Sequence, residues 1–141
     1  MQLLDKPKFR GERCHNPFNI DESKNNWVGK SDIEIDSRLE EFTEPVYGVR
    51  AGIKLLNNYI TKKGLNTINL IFDRYAPPNE NDTEGYKRFV PEKTGLGLDE
   101  PIEDFQSIAL VFAKTVIKME QGRVIYPDEM IQQAIDMVFE A

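Results

Sequence analysis

The chain has 141 residues, of which 40% are hydrophobic and 30% charged, and its net charge at pH 7 is -6. This length favours one globular domain with a core of its own, and the negative charge argues against nucleic-acid binding through the phosphate backbone. Cys14 and His15 are the only residues of their types, which excludes an internal disulfide and a His-rich metal centre. We expect no metal and no cofactor.

Residues 1–45 are predicted to be irregular or β-structured, because short apolar groups alternate there with polar turn residues. The alternation Ile33-Glu34-Ile35 has the two-residue period of a strand. This pattern predicts an antiparallel sheet of two or three short strands. The single domain, residues 1–141, would then consist of a small β-hairpin part over about 10–45 and a helical part over about 46–141.

Five helices are predicted in the second part from apolar residues at helical spacing and from polar, Gly and Pro residues at the ends. Their expected positions are residues 47–63, from 66 or 67 to the Pro77-Pro78 pair, from 83 or 84 to about 92, 103–120, and from about 127 onwards. In the fourth helix, the side chains of Ile108, Val111, Phe112, Thr115 and Met119 are predicted to point inward. The predicted class is α+β, mostly helical.

A polar corner follows the second predicted helix, where two prolines stop the helical pattern. It contains Glu80 and Asn81, and a new helix begins shortly after them. Corners of this kind often carry binding or catalytic groups, because they are exposed and well fixed. A plain turn between two helices explains the same residues.

Among the 24 acidic residues, Glu120 has a distinctive position at the end of the most apolar helix. A carboxylate is disfavoured as an anion at a helix C-terminus, and partial burial there would raise its pKa further. Glu120 is therefore a candidate general acid, although an exposed helix-end Glu would look the same in the sequence. Glu34 and Glu41 on the predicted hairpin, and Glu80 in the corner, are candidates for a second carboxylate. Two carboxylates across a cleft are what glycoside hydrolysis requires.

Trp27 lies in a polar turn beside two asparagines, and an exposed indole there would suit the face and hydroxyl edges of a sugar ring. A tryptophan buried under the hairpin is the alternative. Asn16 and Asn19 flank Pro17 and Phe18, which fits either sugar recognition or turn formation alone.

These motifs together resemble a family of small phage proteins that are described as virion structural or lysozyme-like muralytic proteins. The family pattern Arg-Gly-x-Arg-Asn-Asn-Asn-Pro-Gly-Asn-Ile reads Arg-Gly-Glu-Arg-Cys-His-Asn-Pro-Phe-Asn-Ile at residues 10–20. The resemblance continues through Trp27-Val28-Gly29, residues 47–51, the corner at 74–83 and Glu120-Gln121-Gly122. The Cys-His pair and Phe18 depart from the pattern.

The same pieces also look like lysozyme-superfamily glucosaminidases in a different order, with the hairpin first and the Glu-bearing helix last. This suggests a circular permutation, in which Met1 and Ala141 would be close together and Glu120 would face the hairpin across a cleft.

The resemblance implies a peptidoglycan glycoside hydrolase in which Glu120 is the general acid and Glu34 or Glu41 serves the opposite face. The residues expected to bind the glycan strand are Asn16, Asn19, Trp27, Tyr75, Glu80 and Asn81. The alternative is a non-catalytic virion component or cell-wall-binding protein, with other virion proteins as partners. A third interpretation is a small acidic domain that inhibits a host protein.

No stretch reaches the roughly 18 apolar residues of a membrane helix, and the first residues lack the apolar core of a signal peptide. We therefore expect no membrane insertion. The resemblance implies synthesis in a host cytoplasm, followed by action at the cell wall or periplasm or carriage in a virion.

Overall fold

The structure is a computed structural model that describes residues 2–33, 36–77 and 82–140, and these residues form six helices. The helices are α1 (Arg10–Arg13), α2 (Pro45–Lys62), α3 (Ile68–Tyr75), α4 (Thr83–Thr94), α5 (Phe105–Gln121) and α6 (Asp128–Phe139). The mostly helical character is as predicted, and the five long helices begin within two residues of their expected starts. Within the described ranges, none of the helices combines the length and apolar character that a bilayer crossing requires.

The predicted β-hairpin subdomain, and with it the α+β class, is wrong. Over the described part of the chain, the only strand-like pairings are two isolated antiparallel bridges, Asp21 with Leu39 and Lys30 with Phe42. Neither bridge extends into a ladder, and the Phe42 N–H donates to the carbonyl of Cys14 at 3.0 Å. Ile33 is 70% exposed, and Glu34 and Ile35 lie outside the described residues.

Buried polar side chains hold the N-terminal segment (the described residues from 2 to 44) in place of a sheet. Asn16 is fully buried, donates to the carbonyls of Ile20 and Glu40 at 2.9 Å each, and accepts from the Ile20 N–H at 3.0 Å. The fully buried carboxylate of Glu40 lies 3.1 Å from the Lys30 ammonium and accepts from the Ser23 hydroxyl at 2.8 Å. These contacts satisfy polar groups that burial would otherwise penalise.

Two glycines of α2 let the N-terminal segment contact the helix backbone directly. A Cβ at Gly48 would lie 1.6 Å from the carbonyl oxygen of His15, and a Cβ at Gly52 would lie 2.0 Å from the Phe18 ring. Phe18 is only 1% exposed and joins the main hydrophobic core. The segment is therefore packed into the helical part rather than forming a separate lobe.

The core of the helical part contains three stacked aromatic rings from α3, α4 and α5. The Phe72 ring lies 4.7 Å from that of Tyr86 and 5.8 Å from that of Phe112, centre to centre. Of the residues expected to point inward from α5, Phe112 is buried, and Ile108 and Met119 are half-buried and packed against the core. The other buried apolar residues of this helix are Phe105, Ala109, Ala113, Val116 and Ile117. The small alanine side chains of this face permit close packing, while Val111, Thr115 and Met119 line a surface groove between α4 and α5.

A buried ion pair connects α1 to the loop after α5. Glu12 is 0% exposed, and its two carboxylate oxygens accept from the Arg123 guanidinium at 2.8 and 3.1 Å. Burial raises the pKa of Glu12, but the bonds from Arg123 and from the backbone N–H groups of Phe9 and Lys8 outweigh burial, so the net pKa is lowered. Arg123 also donates to Asp5 at 2.8 Å. This cluster fixes the start of the chain against the end of α5.

We expect Arg123→Gln to lower the free energy of unfolding by about 3 kcal/mol at pH 7, since it leaves the Glu12 carboxylate buried without its counter-charge. Because the folded pKa of Glu12 is lowered, its stabilising contribution is present at neutral pH and is lost as pH falls through that pKa. The difference in the free energy of unfolding between the variant and the wild-type protein should therefore be smaller at acidic pH. Urea unfolding at pH 7 and pH 4 measures both effects.

Lys118→Gln, which removes an exposed charge one turn earlier, is the matched control and should change stability by less than about 0.5 kcal/mol. Equal losses in the two variants would show that the ion pair with Glu12 contributes nothing specific.

Candidate functional site

A cleft of about 820 Å³ lies between the N-terminal segment and helices α2, α3 and α5. Its volume is within the range of ligand clefts in proteins, which is about 300–1,000 Å³. The N-terminal segment contributes Arg10, Asn19, Ile20, Asp21, Ser23, Asn25, Trp27, Arg38 and Leu39 to its lining, and the helical part contributes Leu55, Tyr59, Arg74, Tyr75, Pro77 and Glu120. The cleft therefore unites residues as far apart in the sequence as Arg10 and Glu120.

Glu120 lies in the last turn of α5 and points its half-buried carboxyl group into this cleft. One carboxyl oxygen accepts from the Asn19 amide at 2.9 Å, and the other accepts from the Tyr86 hydroxyl. Burial raises the pKa of Glu120, and the hydrogen bond from Asn19 opposes this rise only in part. The environment of Glu120 thus favours its protonated form more than water does.

Asn19 is oriented by Gln121, the residue that follows Glu120. The Gln121 amide donates to the Asn19 side-chain oxygen at 3.1 Å and to the Pro17 carbonyl at 3.0 Å, which leaves the Asn19 nitrogen directed at Glu120. Asn19 adopts a positive φ of 52°, a conformation that asparagine tolerates better than most residues. A Cβ at Gly11 would lie 2.3 Å from both the Asn19 and Gln121 amides, so this close approach requires glycine.

Tyr75, at the end of α3, connects the helical part to the N-terminal segment. Its hydroxyl donates to the carbonyl of Phe18 at 2.6 Å, and its ring packs edge-on against Tyr86 with centres 6.0 Å apart. Burial raises the pKa of Tyr75 well above its ordinary value, and the charges of Glu120 and Asp21 add to this rise. The hydroxyl therefore stays protonated between the two carboxyl groups.

Trp27 lines the cleft, but its indole nitrogen is buried and finds no hydrogen-bond partner in the described part of the chain. The indole therefore offers its carbon surface to the cleft rather than its N–H group. The Tyr59 ring lies nearby on α2, with the Arg74 guanidinium 6.0 Å from its centre. Aromatic faces of this kind suit the apolar faces of sugar rings.

The structure brings together four of the residues that the sequence nominated: Glu120, Asn19, Trp27 and Tyr75. Asn16 is instead buried inside the N-terminal segment, where its bonds are structural. Glu41 lies outside the lining of the cleft, and its carboxylate accepts from the Asp36 N–H at 2.8 Å. The remaining nominated residues, Glu34, Glu80 and Asn81, lie outside the described residues.

Several residues of the site were missed by the sequence reasoning. They are Tyr86 and Gln121, which surround Glu120, and Asp21, Arg38, Tyr59 and Arg74, which line the cleft. Gln121 had a local signal, because it is adjacent to Glu120 and precedes a helix-ending glycine. Arg74, Tyr59 and Tyr86 lie in stretches that carry the family resemblance, but no role was assigned to them. Asp21 and Arg38 had no signal, since their proximity to Glu120 arises only from folding. Across the described ranges, no group of three or more acidic, His or Cys side chains is arranged to hold a metal ion.

No known protein-family model matches this sequence. Protein P5 of Pseudoalteromonas phage PM2 is 38% identical to it over 133 residues, an alignment that covers 92% of this chain and 82% of that protein. The chain belongs to the family of Protein P5. The expected relation to phage proteins is thereby confirmed in this coarser form. The name of the relative carries no information about an activity on cell walls.

We expect Asn16→Ala to lower the free energy of unfolding by about 3 kcal/mol, because it leaves the Glu40 carbonyl and the Ile20 N–H without the partner that Asn16 provides. Asn25→Ala is the matched control at the rim of the cleft and should cost less than about 0.5 kcal/mol. Urea unfolding of both variants checks this, and a similar cost for the two would contradict the structural role of Asn16.

The raised pKa of Glu120 predicts a pH-dependent stability. Because its folded pKa lies above the unfolded value, Glu120 contributes most at low pH and loses that contribution as pH rises through the folded pKa. Relative to the wild-type protein, Glu120→Gln should therefore become more stable as pH rises from about 4 to about 8. Denaturation midpoints across this range measure the trend, and Glu103→Gln, at an exposed position just before α5, controls for net charge. If the stability of Glu120→Gln and that of the wild-type protein changed with pH in the same way, the raised pKa of Glu120 would be contradicted.

Proposed function

We propose that the protein is a glycoside hydrolase that cuts peptidoglycan strands between amino sugars, with Glu120 as its general acid. The observation that carries this proposal is a half-buried carboxyl group with a raised pKa, directed into a cleft with aromatic walls. General acids of glycosidases need a carboxyl that stays protonated near neutral pH, and a partly buried site provides it.

In the proposed reaction, protonated Glu120 donates its proton to the glycosidic oxygen as the bond to the leaving sugar breaks. Asn19 and Tyr86 both donate to Glu120, so they hold the carboxyl group in position before the transfer and stabilise the carboxylate after it. Neither donor carries a positive charge, so the pair does not force ionisation of Glu120 beforehand.

Asp21 is the carboxylate that we assign to the other side of the sugar. It is exposed in the same cleft, and both it and Glu120 raise the pKa of Tyr75 through their charge. The Asp21 carboxylate would stabilise the oxocarbenium-like transition state or activate the attacking water. The rings of Trp27 and Tyr59 would pack against sugar faces, with the exposed Asn25 beside them.

The test is loss of turbidity of purified peptidoglycan with the wild-type protein, Glu120→Gln, Asp21→Asn and the control Glu103→Gln. We expect the Glu120 variant to lose at least about 100-fold in rate, in line with removal of a general acid. Wild-type activity should fall as pH rises through the raised pKa of Glu120, because the acid must be protonated. Glu103→Gln should keep wild-type activity.

Unchanged lysis by Glu120→Gln would remove Glu120 from the chemistry. If the wild-type protein sediments with peptidoglycan but never lyses it, the hydrolase proposal fails. The result would then favour the alternative of a non-catalytic cell-wall-binding or virion protein.

A further inference from the structure

The cleft contains three arginines, Arg10, Arg38 and Arg74, although the chain as a whole is acidic with a net charge of -6. Arg10 is already engaged, since its guanidinium forms a two-point ion pair with Asp36 in which one bond measures 2.7 Å. Arg38 and Arg74 are both exposed. One comes from the N-terminal segment and one from the helical part, so they reach the cleft from different elements.

Arg38 has a fixed backbone and an available side chain. Its carbonyl accepts from the Glu22 N–H at 2.8 Å, and its own N–H donates to the Asp36 carboxylate at 2.8 Å. Its guanidinium has no hydrogen-bond or ion-pair partner among the residues that the structure describes. The neighbouring bridge between Asp21 and Leu39 anchors this stretch beside the proposed second carboxylate.

Arg74 lies in the last turn of α3, immediately before Tyr75. Its guanidinium is 6.0 Å from the centre of the Tyr59 ring, which helps to position it, and no carboxylate of the described ranges pairs with it. The adjacent Asp73 is instead paired with Lys87. The planar donor array of Arg74 is therefore available to a ligand in the cleft.

We propose that Arg38 and Arg74 bind carboxylates that the glycan substrate carries beside its sugar chain, on the peptide stems of peptidoglycan. This inference rests on the proposed function and narrows its substrate class to an anionic rather than a neutral amino-sugar polymer. Guanidinium groups bind carboxylates through two parallel hydrogen bonds. A protein with a net charge of -6 would otherwise repel such a polymer.

The experiment compares native sacculi with sacculi whose carboxylates have been converted to amides by carbodiimide and ammonia. Sedimentation measures binding, and turbidity measures cleavage, for the wild-type protein, Arg38→Gln, Arg74→Gln and the double variant. Arg88→Gln is the matched control, because Arg88 is exposed on α4 and lies outside the lining of the cleft.

We expect the wild-type protein to prefer native sacculi, and each substitution to weaken that binding by roughly tenfold, as the loss of a charge-assisted hydrogen bond predicts. Binding to amidated sacculi should be the same for all variants. Arg88→Gln should behave like the wild-type protein on both substrates.

Equal wild-type binding to native and amidated sacculi would overturn the arginine assignment. So would a preference that survives in the double variant. Lysis of both substrates at equal rates would leave the hydrolase proposal intact while removing the role of the arginines. If the wild-type protein strongly prefers native sacculi but lyses neither substrate, the hydrolase proposal fails and the carboxylate-binding site stands.

Discussion

The cleft depends on how the N-terminal segment is attached to the helices, because that segment has no sheet of its own to define its shape. Gly48 and Gly52 let it lie directly on the backbone of α2, and Gln121 binds it at Pro17 and Asn19. Asn19 then donates to Glu120 through the nitrogen of its side-chain amide. A rearrangement of this attachment would separate the two parts that line the cleft.

Two carboxyl groups at the same junction show how neighbours decide the protonation state of a buried acid. Glu12 lies in the N-terminal segment and Glu120 faces that segment, both near the end of α5, and burial alone would raise the pKa of each. Arg123 and backbone N–H groups reverse the effect for Glu12, which makes it a structural anion. Asn19 and Tyr86, which are neutral, leave the pKa of Glu120 raised. The presence or absence of one guanidinium therefore accompanies the opposite pKa shifts of these two buried acids.

Membership in the Protein P5 family relates the chain to a phage protein, and the chemistry of the cleft narrows what such a protein could do. The cleft combines a protonatable carboxyl, aromatic surfaces and two exposed arginines. This combination matches a polymer that has both sugar rings and carboxylates. The net charge of -6 would not indicate such a ligand, since it does not show that Arg38 and Arg74 lie at the cleft.

The sequence by itself determined the five long helices, because helical periodicity and end signals act over a few residues. Thr67 and Asp82 cap α3 and α4, and Gly122 ends α5 with a φ of 81°. It also singled out Glu120, since its place at a helix end can be read locally. Only the tertiary structure decided that the N-terminal segment forms no sheet, because buried side chains such as Asn16 bind its backbone across long separations. The same holds for Tyr86, Asp21 and the arginines of the cleft, whose proximity to Glu120 exists only after the segment packs on the helices.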